Sequence, residues 1–376
     1  MNSILKEDGG SLPSSSRAYA ILAPGFAKWW GSDARALAQA LRRLGHSVLD
    51  IDEEDYVPWR WQGIGPKVVR RLFGRVWIDD YNQTVLQQAA SSYYDFVLVY
   101  KGNLLKPETV RHLRGSGKPV FNFYPDVSFQ DHGPNIPRTL RLYDCVFTTK
   151  SYHGDREKRL FGMRKLEHVR HGFDPEVHRP LPWSSELARH YECDVSFVGC
   201  WSPEKEERIL YLLRRSNGIN VRVFGMGWKY ACGEFKQRMG PNLRPGVFGD
   251  ELAIVYGASK VNLGLLSCAK SEPTLRDQTT ARTFQIPATK AFMLHEDTPE
   301  VRSFFKDGEE VLLFSSNEDL VDKIDFALKE PTLRDAIRER GYERCMREAY
   351  DYSSAAHRIS SYFEKRADGH LAGVGA

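Results

Sequence analysis

Residues 18–51 read AYAILAPGFAKWWGSDARALAQALRRLGHSVLDI. Positions 18–22 are apolar and strand-like, and the glycine-containing turn that follows ends at Ser32, a residue type common at helix N-caps. Apolar side chains then recur at helical spacing until Gly45, and 46–51 has the character of a second strand. The order strand, glycine turn, helix, strand is the repeating unit of a doubly wound parallel sheet.

The same unit recurs along the chain. Prolines interrupt regular structure at 174–184, which predicts a linker between two alternating series. We therefore expect an α/β protein with two Rossmann-like domains, one over 18–180 and one over 181–345. The further strand-like runs are 94–100, 119–123, 144–148, 195–198, 220–224, 261–265 and 291–294.

Length and composition fit this organisation. The chain has 376 residues, more than the roughly 250–300 at which single hydrophobic cores stop growing, so a cleft between two domains is expected. Hydrophobic residues make up 41% and charged residues 27%, which is typical of a soluble globular protein. No apolar run approaches the ~20 residues of a membrane-spanning helix. Residues 1–17 are interpreted as a disordered leader and 367–376 as a loose tail.

Cysteine pattern and net charge narrow the classes of function. The six cysteines form no CxxC pair, which argues against a zinc ribbon and a disulfide framework and favours the cytoplasm. A net charge of +4 is too small to indicate nucleic acid, although it suits an anionic ligand.

Several motifs point away from other chemistries. The first turn, GFAKWWG, lacks the GxGxxG pattern of dinucleotide binding, and GSGKP at 115–119 departs from a P-loop. The DxD at 50–52 is better explained as a solvated strand end than as a metal site. The spacing of His168, His171 and His178 would suit zinc ligands on one helix face. A glycine and a proline between them, however, break any helix that could align them. No metal site is predicted.

Asp126 and His132 lie in the loop YPDVSFQDHGPN, just beyond a strand's carboxyl end. Open parallel sheets place ligands at that edge. A catalytic or acceptor-binding role and simple loop capping by the aspartates both remain open.

The segment 56–78 combines cations and aromatic side chains and has no acidic residue. It predicts contact with an anionic surface or a sugar chain, and the alternative is a solvated basic face with the aromatics packed inward. No DNA-reading module accompanies it. The cations are Arg60, Lys67, Arg70, Arg71 and Arg75.

Two helix starts in the second half suit phosphate. Gly199 ends a strand, and Lys205 and Arg208 occupy the first turns of the helix that follows. Thr280 and Arg282 lie at another expected helix N-terminus. Backbone N–H groups, the helix dipole and a guanidinium together favour a bound diphosphate.

At these residues the chain resembles the CgeB-like glycosyltransferases, which have the GT-B fold. The resemblance implies two domains facing a cleft and a nucleotide-sugar bound mainly to the C-terminal domain. It also implies an acceptor bound to the N-terminal domain and a final helix, 346–366 here, that crosses back to it. The segments that carry it are DVSFVG (194–199), VFGMGW (223–228), ARTFQIPATKAFMLHEDTPE (281–300) and FFKDGEEVLLFSSNEDLVDKI (304–324).

The resemblance also implies roles for single residues. Gly199, Lys205 and Arg282 would lie near the phosphates, and Gly225 and Trp228 near the base pocket.

Two positions depart from the family pattern. Gln285 stands where the family usually has the glutamate that accepts hydrogen bonds from ribose hydroxyls, and Lys290 stands where it often has glycine. Glutamine still offers a carbonyl acceptor but lacks the charge that strengthens such bonds.

The expected function is transfer of a sugar from a nucleoside-diphosphate sugar to a hydroxyl of a glycan or other cell-envelope acceptor. Neither a metal nor a tightly bound cofactor is expected. The alternative is a non-catalytic nucleotide- or glycan-binding protein of the same fold, and Gln285 motivates it. The expected partners are the donor, a glycan or lipid-linked acceptor, and the anionic inner face of a membrane, with no nucleic acid.

Overall fold

The computed structural model describes residues 17–57, 64–182, 186, 190–216 and 218–373. Two parallel six-stranded sheets form its centre, so the prediction of two Rossmann-like α/β domains is confirmed. The first sheet has the order β2-β1-β3-β4-β5-β6. Its strands are β1 (Ala20–Pro24), β2 (Ser47–Ile51), β3 (Phe96–Tyr100), β4 (Val120–Tyr124), β5 (Cys145–Thr148) and β6 (Leu166–His168).

The second sheet has the order β12-β11-β10-β7-β8-β9. Counted from β7, this is the strand order of a dinucleotide-binding sheet, in which the direction of winding reverses beside the first strand. In both sheets that reversal creates a crevice at the carboxyl ends, between β1 and β3 and between β7 and β10. The strands are β7 (Cys193–Val198), β8 (Val221–Phe224), β9 (Leu243–Arg244), β10 (Ser259–Gly264), β11 (Met293–Glu296) and β12 (Leu312–Phe314).

Helices cover both faces of the sheets. In the first domain they are α1 (Asp33–Arg43), α2 (Ile64–Ser91), α3 (Pro107–Gly115), α4 (Asn135–Thr139) and α5 (Asp155–Leu160). In the second they are α6 (Pro203–Arg215), α7 (Gly233–Met239), α8 (Gly249–Ala258), α9 (Ala281–Ala288), α10 (Pro299–Phe304), α11 (Asn317–Lys329) and α12 (Pro331–Arg347), followed by α13 (Ser353–Gly373). None of the described helices is both long and apolar enough to span a bilayer.

The first helix forms as its sequence predicts. The Ser32 hydroxyl accepts a hydrogen bond from the backbone N–H of Ala34 at 3.2 Å, which caps α1. Leu37 and Leu41, one turn apart, are fully buried on the face toward the sheet. The cap fixes the start of α1 beside the crevice at the end of β1.

The last helix packs on the first domain. Tyr352, Ala355 and Ile359 join the core of the first sheet, and α13 lies against α1. The resemblance placed this helix at 346–366, whereas the structure begins it at Ser353, after a break at Ala349, whose φ is 47°. Arg170 donates to the carbonyl of Ala349 at 2.7 Å and so holds the chain where it crosses between domains.

Candidate active site

A cleft of about 440 Å³ separates the carboxyl ends of the two sheets. Its size is within the range of small-ligand sites, which is roughly 300–1,000 Å³. The first domain contributes residues from the turn after β1, the start of α1 and Lys101. The second contributes the Gly199 turn, α8 and the start of α9. Both topological crevices therefore open into one space.

The turn after β7 depends on glycine. A Cβ on Gly199 would lie 2.9 Å from the Arg282 guanidinium and 2.8 Å from the Phe197 ring. A Cβ on Gly225 would lie 2.0 Å from the Gly199 carbonyl oxygen, and Gly225 has a φ of 155°. The two glycines thus let neighbouring backbone segments approach each other and leave the Gly199 backbone open to the cleft.

Two cations lie beside this turn. Lys205 is 4% exposed, and its Nζ donates to the Cys200 carbonyl at 3.2 Å. Arg282 lines the cleft and donates to the Leu265 carbonyl at 2.7 Å. Among the described residues, neither cation forms an ion pair with a carboxylate. Burial and the nearby Arg282 charge lower the pKa of Lys205 to about 8.

The start of α9 points at the same space. Ala281 and Arg282, the first residues of α9, line the cleft, so the positive end of the helix dipole faces it. Thr280 precedes the helix, and its backbone N–H donates to the Thr283 hydroxyl at 2.9 Å. The Thr280 hydroxyl is buried and has no hydrogen-bond partner among the described residues. Arg282 and the start of α9 thus form one wall of the cleft, and Lys205 and the Thr280 hydroxyl are buried behind that wall.

Arg208 has a different environment from the one expected. It donates to Glu296 at 3.1 Å and to Asn317 at 3.0 Å, and the cleft is lined without it. Glu296, which also pairs with Arg276, offsets part of its charge. The sequence placed Arg208 on the diphosphate because it follows a glycine turn, but its long side chain extends toward β11 instead.

Trp228 is 2% exposed and stacks on Phe235. Its indole N–H donates to the Gly199 carbonyl at 3.0 Å. The ring therefore supports the glycine turn from below and offers no face to a nucleotide base, which differs from the expectation that it borders the base pocket. Val247 and Phe248 line the cleft nearby.

Gln285 connects the two domains. Its side-chain N–H donates to Asp33 at 3.2 Å, across the cleft and 252 residues away in sequence. Burial raises the pKa of Asp33 to about 6, although a hydrogen bond with Tyr352 lowers it. The sequence reasoning missed Asp33 because its position also reads as an ordinary acidic residue in the first turn of a helix.

The first-domain wall of the cleft contains Lys101, which follows β3 with a φ of 60°. Its ammonium lies 2.7 Å from Asp126, and Asp126 lies 3.5 Å from His132. Asp126 and His132, the two catalytic candidates, are thus brought together directly behind the cleft wall. The sequence reasoning missed Lys101, because its left-handed backbone, uncommon for a residue other than glycine, is visible only in the structure.

The environment sets the protonation of these groups. Burial would raise the pKa of Asp126, but Lys101 and His132 outweigh it and the pKa lies below its ordinary value. Burial lowers the pKa of His132, and Asp126 only partly offsets this. Burial raises the pKa of Glu53, another residue of the wall, to about 7. At neutral pH the pair is therefore a carboxylate beside a neutral imidazole.

Of the three histidines considered for zinc, His171 and His178 are buried in the packing and His168 is exposed. His171 lies 2.8 Å from the Thr149 hydroxyl, and His178 accepts from the backbone N–H of Asp174 at 2.9 Å. Burial lowers the pKa of His178 to about 3. No group of three or more His, Cys, Asp or Glu side chains that could hold a metal occurs in the described parts of the chain. Lys290, the other departure from the family pattern, pairs with Glu339 at 2.7 Å, away from the cleft.

The basic segment is only partly described. Arg60 lies outside the described residues, and for Arg70 the structure describes the backbone alone, within α2. Arg71 is exposed on the same helix. Trp77 is half-buried and packs against the core, whereas Phe73 is 50% exposed. The two aromatics therefore have opposite environments.

The C-terminal half matches a family of known proteins. Residues 204–361 match the family model described as glycosyl transferase-like. This domain begins at α6 and includes Lys205, Arg282 and Gln285. No curated protein has a sequence that matches the chain significantly.

Solved structures resemble the whole chain. The sucrose-phosphate synthase from Thermosynechococcus elongatus superposes with a TM-score of 0.63 and 14% identity, covering 93% of this chain and 100% of that one. A glycosyltransferase from Rickettsia africae gives a TM-score of 0.62 and 10% identity over 93% and 98% of the two chains. HepE from Anabaena, in complex with UDP-glucose, gives 0.61 and 12% over 92% and 100%. The chain has the GT-B fold of these proteins, and at such identities the likeness shows the fold alone.

Proposed function

We propose that the protein is a glycosyltransferase that moves a sugar from a nucleoside-diphosphate sugar to a hydroxyl of a glycan or other cell-envelope acceptor. The observation that carries the proposal is a pair of cations at the Gly199 turn, Arg282 in the wall of the cleft and Lys205 behind it, neither of which pairs with a carboxylate among the described residues. Lys205 is buried beside Arg282 at the Gly199 turn, and burying such charges is unfavourable unless an anion joins them. A diphosphate that bridges both cations and the start of α9 would supply that anion.

The departing diphosphate gains charge as the sugar–oxygen bond breaks. Lys205 and Arg282 together carry two positive charges at the site where that charge develops, which stabilises the transition state more than the bound donor. We therefore assign leaving-group stabilisation to these two residues and not to Arg208, whose side chain is held by Glu296 and Asn317 and does not line the cleft. No metal ion and no tightly bound cofactor enters this mechanism.

The acceptor side requires a group that takes the hydroxyl proton if the reaction inverts the anomeric carbon. His132, neutral at physiological pH and held beside Asp126, has the required form. In that step the acceptor oxygen bonds to the anomeric carbon, the bond to the diphosphate breaks and His132 receives the proton. The anomeric configuration of the product, read by NMR, tests the assignment, because retention would remove the need for this base.

Gln285 favours a second candidate function. A glutamine there weakens hydrogen bonds from ribose hydroxyls, so the same cleft could bind a nucleotide or glycan without turnover. The CgeB-like assignment itself is supported by the overlap between residues 204–361 and the segments that carry the resemblance. We place the reaction in the cytoplasm, where nucleotide-sugars are made.

Donor turnover is the direct test. The protein is incubated with a panel of nucleoside-diphosphate sugars, beginning with UDP-glucose because HepE is solved with it, and released diphosphate and product are measured with EDTA present. We expect turnover with one nucleotide, and a loss of roughly 100-fold or more in Arg282→Ala. Lys236→Ala, which removes an exposed cation of the same domain, is the matched control.

Three results would contradict the proposal. Binding of a nucleotide without turnover over every acceptor favours the non-catalytic alternative. Activity that EDTA abolishes and magnesium restores contradicts the metal-free mechanism. Equal losses in Arg282→Ala and Lys236→Ala contradict the placement of the phosphates.

A further inference from the structure

The first half of α2 carries apolar side chains that face solvent. Leu72 is 69% exposed, Phe73 50% and Val76 61%. With the half-buried Val69, they occupy positions i, i+3, i+4 and i+7, so they form one stripe along the helix. We call these four residues the α2 stripe.

The α2 stripe lies on the side of the helix opposite to the core. Tyr81 and Val85 are buried, and Ile78 packs with them against the first sheet. At about 100° per residue, the direction of these three side chains differs from that of the α2 stripe by roughly 180°. The core therefore does not require the stripe.

The outward face changes character within the same helix. Beyond the α2 stripe, the equivalent positions hold Asp80, Gln83 and Gln87, all of them exposed. The second half of α2 is thus an ordinary surface helix, polar outside and apolar inside. Only the first half presents an apolar surface to an external partner.

Charge identifies the class of that partner. Arg71 and Arg75 are exposed within the same two turns, and no acidic residue occurs from 56 to 78. We propose that the α2 stripe, with Arg71 and Arg75, docks on an anionic lipid bilayer. Such a surface offers negative headgroups to the guanidinium groups and an apolar layer beneath them to Leu72, Phe73 and Val76.

A second copy of the chain fits this surface less well. A symmetric contact through the α2 stripe would bring the same patch of both subunits together, so Arg71 and Arg75 would meet their own equivalents. Like charges at a contact are unfavourable, and the stripe itself contains no carboxylate, since the nearest, Asp79 and Asp80, lie one turn beyond it. A bilayer provides both complementary features at once.

Docking has a consequence for the cleft. The turn Glu53–Asp55 precedes α2, and Glu53 and Glu54 line the first-domain wall. A docked α2 therefore keeps the acceptor side of the cleft on the membrane-bound part of the molecule. If the proposed function is correct, this favours an acceptor linked to a membrane lipid over one free in solution.

Vesicle co-sedimentation of the full chain tests the docking without any sugar substrate. The wild type is expected to bind vesicles that contain phosphatidylglycerol and to leave pure phosphatidylcholine vesicles unbound. Leu72→Glu/Val76→Glu should weaken binding by about tenfold or more, because it places charge in the apolar layer. Gln83→Glu/Gln87→Glu is the matched control, with the same charge change on the same face beyond the α2 stripe, and should stay within about twofold. Arg71→Gln/Arg75→Gln should lose the part of the binding that salt screens.

The results of these experiments distinguish a lipid bilayer from a second copy of the chain. The proposal is overturned if the wild type ignores phosphatidylglycerol vesicles, or if the stripe and control variants bind them equally well. A dimer seen by light scattering and lost in the stripe variant would identify a second copy as the partner instead. All substituted side chains are exposed. Circular dichroism and the thermal midpoint verify that the variants fold. Nucleotide binding, measured separately, reports on the proposed function.

Discussion

Binding of a nucleoside diphosphate should depend on the protonation of Lys205. Its ammonium is buried beside Arg282, and these two effects lower its pKa to about 8. The diphosphate binds the charged ammonium, so above that pKa the free protein must take up a proton in order to bind. The affinity should therefore fall as the pH rises past 8; below pH 7 the terminal phosphate, whose second pKa is about 6, titrates as well, so the test is made between pH 7 and pH 9.

The magnitude follows from the titration. With a pKa of about 8 in the free protein, Lys205 is roughly nine-tenths protonated at pH 7 and one-tenth at pH 9, so the dissociation constant should rise about tenfold across this interval. That factor corresponds to about 1.4 kcal/mol. A bound diphosphate raises the pKa of Lys205, so the loss continues until the pH reaches this higher value.

Isothermal titration calorimetry with UDP across this pH range is the assay, and proton uptake is read from buffers of different ionisation enthalpy. Lys205→Arg keeps the charge at every pH, because a guanidinium does not titrate here, and should abolish the pH dependence. Free uridine lacks the phosphates, so its binding to the wild type should show no pH dependence that arises from Lys205. The reasoning is refuted if UDP affinity is the same at pH 7 and pH 9, or if Lys205→Arg shows the same slope as the wild type.

Four further variants probe the cleft. Arg282→Ala should weaken nucleoside diphosphate binding by roughly 1.5–3 kcal/mol and leave nucleoside binding unchanged by calorimetry; equal losses for both ligands would misplace the phosphates. Gly225→Ala should lower the free energy of unfolding by roughly 1–3 kcal/mol in urea titrations, because its Cβ would lie 2.0 Å from the Gly199 carbonyl oxygen. The wild-type carboxyl of Asp33 stays protonated up to about pH 6, whereas in the unfolded chain it ionises near ~3.9. The free energy of unfolding should therefore fall by roughly 1–2 kcal/mol as the pH rises from about 4 to about 6. Asp33→Asn should remove that slope, and an unchanged slope would assign it to other groups. Gln285→Glu should destabilise the contact between the domains by placing a second carboxylate at Asp33, and Asp33→Asn in the same chain should restore stability; additive losses in the double variant would show that the two side chains do not interact.

The sequence predicted the fold because its signals are local. The apolar runs before Ser32 and before Gly199, and the helices that follow them, are decided within a few residues by periodicity, capping and turn chemistry. The long helix α2 escaped prediction because the apolar stripe of its first half and the buried face of its second half lie on opposite sides, so no single helical periodicity runs through the segment.

The environments within the site were harder to predict from sequence. Lys205 and Arg208 lie in the same first turns of α6, yet one is buried beside the cleft and the other pairs with Glu296. Nothing local distinguishes them, because the difference arises from β11, which the fold places next to only one of the two side chains. Trp228 illustrates the same point: an aromatic residue after a glycine turn can face a ligand or the core, and only packing decides.

Gln285 shows why a single position is best interpreted together with its neighbours across the fold. From the sequence, a glutamine where the family usually has glutamate indicates a weakened ribose contact. In the structure, its amide donates to the Asp33 carboxyl of the other domain. A glutamate there could not donate this bond when ionised, and two carboxylates in contact would force one of them to take a proton. The amide of Gln285 and the carboxyl of Asp33 are thus chemically matched. The same glutamine that lacks the charge of the family's ribose-binding glutamate joins the two walls of the cleft.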